Sequence, residues 1–292
     1  MLLTNTGWLV STIMALVFVI LYPLVLAIVV HRRLQVSWRY FGYGALIFLL
    51  FQLVTRVPLV LWLQNVLGPQ LKASVALSLV WIIVLALTAG LTEEIGRYLG
   101  YRWFMKREEK TWNKAVMYGL GHGGFESMAL VGGLLLVTVI NVLYLSNTGL
   151  EALPAAQREV VAQQFAAINA APFWTPLVAA WERVWTVPFH IGASVLVLQV
   201  FQRQRFFWLW LAVLLHTAVD IVGPVLNLWL GSNLTVTLLS EGWVTLAGLF
   251  GIWLIWRFRR VETPASVPAD ESVPPATLSL DATEASQLEQ GE

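Results

Sequence analysis

The chain contains no cysteine, which removes disulfides, thiolate metal ligands and a cysteine nucleophile together. Charge is scarce: Asp, Glu, Lys and Arg make up 12% of the residues, against about 25% in soluble domains. The formal net charge of +1 provides no basic surface for nucleic acid, which is not expected as a partner. No repeat at a spacing of roughly 20–50 residues is present, which argues against a solenoid. No basic residue precedes the first apolar run, Trp8 to Val30. That run is too long for a signal-peptide core, so it reads as a retained helix.

What the chain has instead is apolar length, with 58% hydrophobic residues. Runs at about 8–30, 42–65, 73–104, 115–145, 177–202, 206–229 and 234–256 reach or approach the ~20 residues that cross a hydrocarbon core. The expected fold is an all-α polytopic membrane bundle of seven transmembrane helices over 1–261, with lipid as its surroundings. Arg32, Arg33 and Arg39, then Arg102 to Lys114, then Arg203 and Arg205, then Arg257 to Arg260 fall on one side, against Lys72 and Arg158 on the other. The positive-inside rule then puts the N-terminus outside and the C-terminus in the cytoplasm. Pro154 to Ala170 reads as a short helix on the outer surface. Residues 262–292 carry seven acidic residues, four prolines and no Lys or Arg, the composition of a disordered acidic cytoplasmic tail.

Within the spans, the few charged or titratable residues stand out. Thr92-Glu93-Glu94-Ile95-Gly96-Arg97-Tyr98 puts two carboxylates and an arginine where each charge costs about 2.5–3.5 kcal/mol on insertion scales. Arg56, His122, Glu126, Glu182, Arg183, His190, His216, Asp220 and Glu241 complete the set, which holds three of the four histidines. Glu93 and Arg97, His122 and Glu126, and His216 and Asp220 are each four apart, so each pair shares a helix face. A carboxylate accepting from one ring nitrogen would fix the tautomer and leave the other nitrogen for chemistry. Counted from the basic ends of their helices, Glu93, His122 and His216 lie at similar depth. The reading is a cavity open to the cytoplasm, with Glu182 nearer the outer side. Each group has a plainer alternative: a helix-end ion network for Glu93, Glu94 and Arg97, a packing seam around His122, and a buried ion pair for Glu182 and Arg183, with Arg56 as a further partner. Glu126 reads as support, and His190 equally as site or support.

At these residues the chain resembles the YhfC-type family of intramembrane proteases. That family is grouped with CAAX prenyl proteases and bacteriocin-processing enzymes (the CPBP superfamily) and is related to the gamma-secretase subunit APH-1. The matching features are Glu93, Glu94 and Arg97, then Tyr118 and His122, then His216 and Asp220. Gly121-His122-Gly123-Gly124-Phe125-Glu126 and Glu182-Arg183 with His190 resemble the YhfC branch. The arginine follows the pair after two residues where the superfamily has three, and tyrosine replaces phenylalanine before His122. The resemblance covers the spans from about 73 to 230, and it implies a catalytic core there and peptide-bond hydrolysis, with a membrane-associated or transmembrane peptide as substrate.

Two schemes are open. In the metal-free one, which the residues favour, Glu93 or Glu94 is general base on a water held by His122. His216 and Asp220 then stabilise the oxyanion or reprotonate the leaving amine, with Arg97, Glu126, Glu182, Arg183 and His190 in support. In the other, zinc sits on His122, His216 and Glu93. A proton-coupled transporter or a non-enzymatic scaffold is the alternative class of function.

Overall fold

An apolar segment in lipid has no water to satisfy its backbone, so it forms a helix that satisfies itself. The computed structural model describes residues 2–259. Among them it contains helices and connecting turns without a strand, and seven helices are long and apolar enough to cross a membrane. The tail expected at 262–292 lies outside the described residues. The first span is α1 (Thr6–Leu34). The second is continuous from α2 (Arg39–Phe48) through a π-helical stretch, Leu49–Arg56, into α3 (Val57–Ala73). The third is α4 (Val75–Phe104). The fourth runs from α5 (Trp112–Phe125) through a second π-helical stretch, Glu126–Val131, into α6 (Gly132–Thr148). The short surface helix is α7 (Ala155–Ala170), followed by α8 (Leu177–Arg203), α9 (Phe207–Leu230) and α10 (Leu234–Arg257). The second span is the one that differs most from its expected bounds.

The helix α8 forms the centre of the bundle. Of its apolar stretch 78% is buried, against 17–22% for the other six spans. Large apolar side chains such as Leu61, Leu134 and Leu214 point outward, as they must where lipid is the solvent. Two prolines inside spans release carbonyls that side chains then satisfy. Pro188 in α8 leaves the Val184 carbonyl free, and Tyr22 Oη donates to it at 3.2 Å. Pro23 in α1 does the same for Val19, whose carbonyl accepts from Ser127 Oγ at 2.7 Å. The second contact ties α1 to the π-helical stretch that begins at Glu126.

Packing divides the bundle along its length. The end that carries the basic loops is filled by Ile47, Tyr101, Met105, Met117, Tyr118 and Leu198, all fully buried. There α2 and α5 touch backbone to backbone: a Cβ on Gly121 would lie 2.0 Å from the Phe41 carbonyl oxygen, and one on Gly44 equally close to that of Tyr118. Toward the other end, beyond the π-helical stretches, α3 buries no residue. The gap lies beside α3, while on the same half α1, α6 and α7 pack around Leu3, Val142, Leu145 and Phe165.

Candidate active site

The carboxylate of Glu93, in the middle of α4, is the point on which the polar side chains converge. Its Oε1 accepts from the Gln52 amide. Its Oε2 lies 2.9 Å from His122 Nε2, 3.7 Å from His216 Nε2 and 3.8 Å from His190 Nδ1. These imidazoles come from α5, α9 and α8, so four spans meet at one oxygen. Glu93, Glu94, Arg97 and the three histidines are all buried.

The remaining hydrogen bonds assign the ring protons. Arg97 is donor-only, so His190 Nδ1, 3.0 Å from Arg97 Nη2, accepts. The His190 proton is then on Nε2, which faces Glu126 Oε2 at 2.8 Å. Glu94 Oε1 accepts from Arg97 Nη1 and, at 2.7 Å, from His216 Nδ1. This leaves the Nε2 lone pair of His216 toward Glu93. Arg183 donates to Glu126 Oε1 at 2.7 Å and also to Glu182. Tyr118 Oη donates to the Arg97 carbonyl at 3.0 Å, and Tyr101 Oη to that of Ser194 at 2.9 Å, bracing α5 and α8 against α4.

All ten residues singled out from the sequence sit in this network or on its border, but the pairing differs from the expected one. Arg97 bonds Glu94, three residues away, and only approaches Glu93, at 3.7 Å. His122 pairs with Glu93 and not with Glu126, whose carboxylate instead meets Arg183 and His190 of α8. His216 bonds Glu94, while Asp220 stands 3.7 Å from its Nε2. The ion pair of Glu182 and Arg183 locks α8 to the fourth span through Glu126. Arg56 instead donates to the Leu85 carbonyl at 2.6 Å and to Gln52 Oε1 at 3.3 Å. Gln52 was not recognised from the sequence. Its one signal was its position a helical turn before Arg56 in an otherwise apolar run.

A cavity of about 500 Å³ opens off the cluster. Glu93, His190, His216 and Asp220 line its inner end, and Arg56, Glu126, Glu182, Arg183 and Glu241 its walls. It continues past Gly223 and Asn227 of α9 and Ile82 of α4, toward the ends of these helices that lack basic loops. The half bearing the basic loops holds the buried tyrosines and methionines named above, so the cavity extends away from the end that the sequence placed at the cytoplasm.

The donor set suits a metal ion once His190 Nδ1 is released from the Arg97 Nη2 donor it faces at 3.0 Å. Glu93, His122 and His190 each bring a ligand atom within 4.8 Å of the others, where the sequence reading had His216 as the third ligand. Ligands about 2.0–2.1 Å from a tetrahedral zinc stand roughly 3.3 Å from one another, and the distances of 2.9 and 3.8 Å from Glu93 Oε2 to His122 and His190 bracket that spacing. The Glu126 carboxylate approaches the distal Nε2 of His190 to 2.8 Å, the side on which metal-binding imidazoles usually have a carboxylate.

Comparison with known proteins gives a consistent picture. A family model described as YhfC intramembrane metalloprotease matches residues 18–244. The chain is 30% identical over 205 residues to the uncharacterized membrane protein YhfC of Bacillus subtilis (strain 168), which covers 69% of this chain and 78% of that protein. No solved structure matches.

Proposed function

The chain belongs to the YhfC intramembrane metalloprotease family, and on that premise we propose that it is a multi-pass membrane endopeptidase whose divalent metal, zinc by its donor set, is held by Glu93, His122 and His190. The observation that carries this reading is the approach of three imidazoles to one carboxylate oxygen, at 2.9–3.8 Å, inside a bundle where lone charges are costly. When bound, the ion supplies Lewis-acid polarisation of a carbonyl and acidifies a water. The chain's own residues do the rest. Gln52 holds the second oxygen of Glu93, and Glu126 stands 2.8 Å from His190 Nε2, placed to favour the tautomer protonated there. Glu94, itself fixed by Arg97, keeps the proton of His216 on Nδ1. His216 Nε2 and the Asp220 carboxylate then face the cavity 3.7 Å apart, placed to hold or pass the proton that the leaving amine requires. The packed half of the bundle keeps bulk water away from that end of the site.

A second reading draws on a specific contact. Both oxygens of Glu93 already have protein partners, so the carboxylate can act as a general base without an ion, as the sequence suggested. The deciding experiment compares membrane proteomes of cells carrying wild type and Glu93→Gln for an uncut precursor. Its cleavage by purified protein is then assayed before chelation, after it, and after zinc is returned. The metal reading requires loss on chelation and recovery with zinc. Full cleavage by metal-stripped protein selects the metal-free scheme, and absence of any precursor difference removes the peptidase.

A further inference from the structure

We infer that the active-site cavity is entered from the non-cytoplasmic face of the membrane, so that the substrate is an extended, hydrated polypeptide segment presented on that side. The inference rests on the proposed site but adds its direction.

Two independent observations combine. The first is charge: the turns after α1, α4 and α8 and the end of α10 carry the basic residues, whereas the opposite end has only Lys72 and Arg158. That asymmetry sets the basic end in the cytoplasm. The second is packing. From the Glu93 cluster the cavity follows α9 outward through Asp220, Gly223 and Asn227, and Asn227 is three residues from the helix end at Leu230. Across from it, Ser240 and Glu241 line the wall within two turns of the start of α10 at Leu234. The basic half is filled at the same depth by Tyr101, Met105, Met117 and Tyr118, all fully buried.

The character of the walls indicates what enters. Glu182, Glu241 and Asp220 border the passage, together with Arg56 and Arg183. The hydroxyl of Thr186, in a residue only 8% exposed, lines it without a partner. A transmembrane helix has satisfied its own backbone and offers such walls only apolar side chains. An unwound segment brings free N–H and C=O groups that these side chains can bind, and it arrives with its water.

The absence of cysteine makes single-cysteine labelling direct. Gly223→Cys is the probe: a Cβ there meets nothing nearer than Ser240 Oγ at 3.6 Å, and it lies seven residues inside the helix end, about 10 Å deep at 1.5 Å per residue. Intact cells expressing the full chain are treated with a sulfonated, membrane-impermeant maleimide. Gly223→Cys should be labelled, Lys106→Cys in the basic loop only after permeabilisation, and Leu134→Cys on the outward-facing side of α6 under neither condition. Protection of Gly223→Cys in intact cells, with labelling either after permeabilisation or never, overturns the inference. So does labelling of Lys106→Cys in intact cells. Should Gly223→Cys fail to accumulate, Asn227→Cys, at the exposed end of the same wall, takes its place. The readout needs neither metal nor turnover, so it can fail while the peptidase reading stands, and the reverse.

Discussion

Adding one methyl group at Gly121 should uncouple the site without touching a polar atom. A Cβ there would sit 2.0 Å from the Phe41 carbonyl oxygen and 2.6 Å from two more Phe41 backbone atoms, none of which can rotate aside. Ordinary contact begins at 3.4 Å, so α5 must withdraw from α2 by about 1.4 Å. His122 is the next residue, and its 2.9 Å contact with Glu93 would stretch past hydrogen-bond reach. Overpacking of this kind costs about 1–3 kcal/mol, and a disturbed ligand shell lowers metal affinity by roughly 10–100-fold. The assay is zinc affinity by competition with a chromophoric chelator, alongside thermal unfolding in detergent. Gly133→Ala is the control, since nothing lies within 4 Å of its added Cβ. Gly121→Ala with wild-type affinity and Tm would refute the claim that this backbone contact sets the position of His122.

Three other changes probe separate parts of the network. Arg183→Ala leaves Glu126 and Glu182 without their cation and should destabilise the fold by about 3–5 kcal/mol, seen as a lowered Tm that Arg183→Lys partly restores. Glu94→Ala removes the acceptor of both Arg97 and His216; cleavage should fall by at least ~100-fold while bound metal stays near the wild-type amount. At the basic end, the Tyr40 hydroxyl donates to Glu108 at 2.5 Å, which holds that carboxyl below its ordinary range, with Arg39 and Lys114 adding to the effect. Stability from this depressed carboxylate is present above the ordinary Glu range and is lost as pH falls through the folded value. In Tyr40→Phe the loss on acidification should be smaller and should be complete at a higher pH in Tm-versus-pH titrations.

The spans were legible because length and apolarity leave lipid-embedded backbone one solution, and seven helices stand close to where the runs of hydrophobic residues put them. The site's membership was legible for a related reason: a charge inside such a run is expensive, so Glu93, Glu94, Arg97 and three histidines marked themselves. Their partners were not. Spacing of four predicts pairs within a helix, whereas His122, His190 and His216 each bond across helices. The π-helical stretch at Leu49–Arg56 shifts the face on which Gln52 and Arg56 emerge, and nothing in hydrophobic periodicity announces it. Depth counted along a helix likewise says how far a residue lies from each end, but not which half of the bundle is packed.

The central claim is that Glu93, His122 and His190 form one metal centre within the membrane. X-ray absorption at the zinc edge of the purified, zinc-loaded chain tests it most directly. The expected result is about one ion per chain in a nitrogen and oxygen shell at roughly 2.0–2.1 Å, with imidazole back-scattering that is lost together with the ion in His122→Ala. A chain that binds no stoichiometric zinc, or binds it without imidazole scattering, would contradict the account.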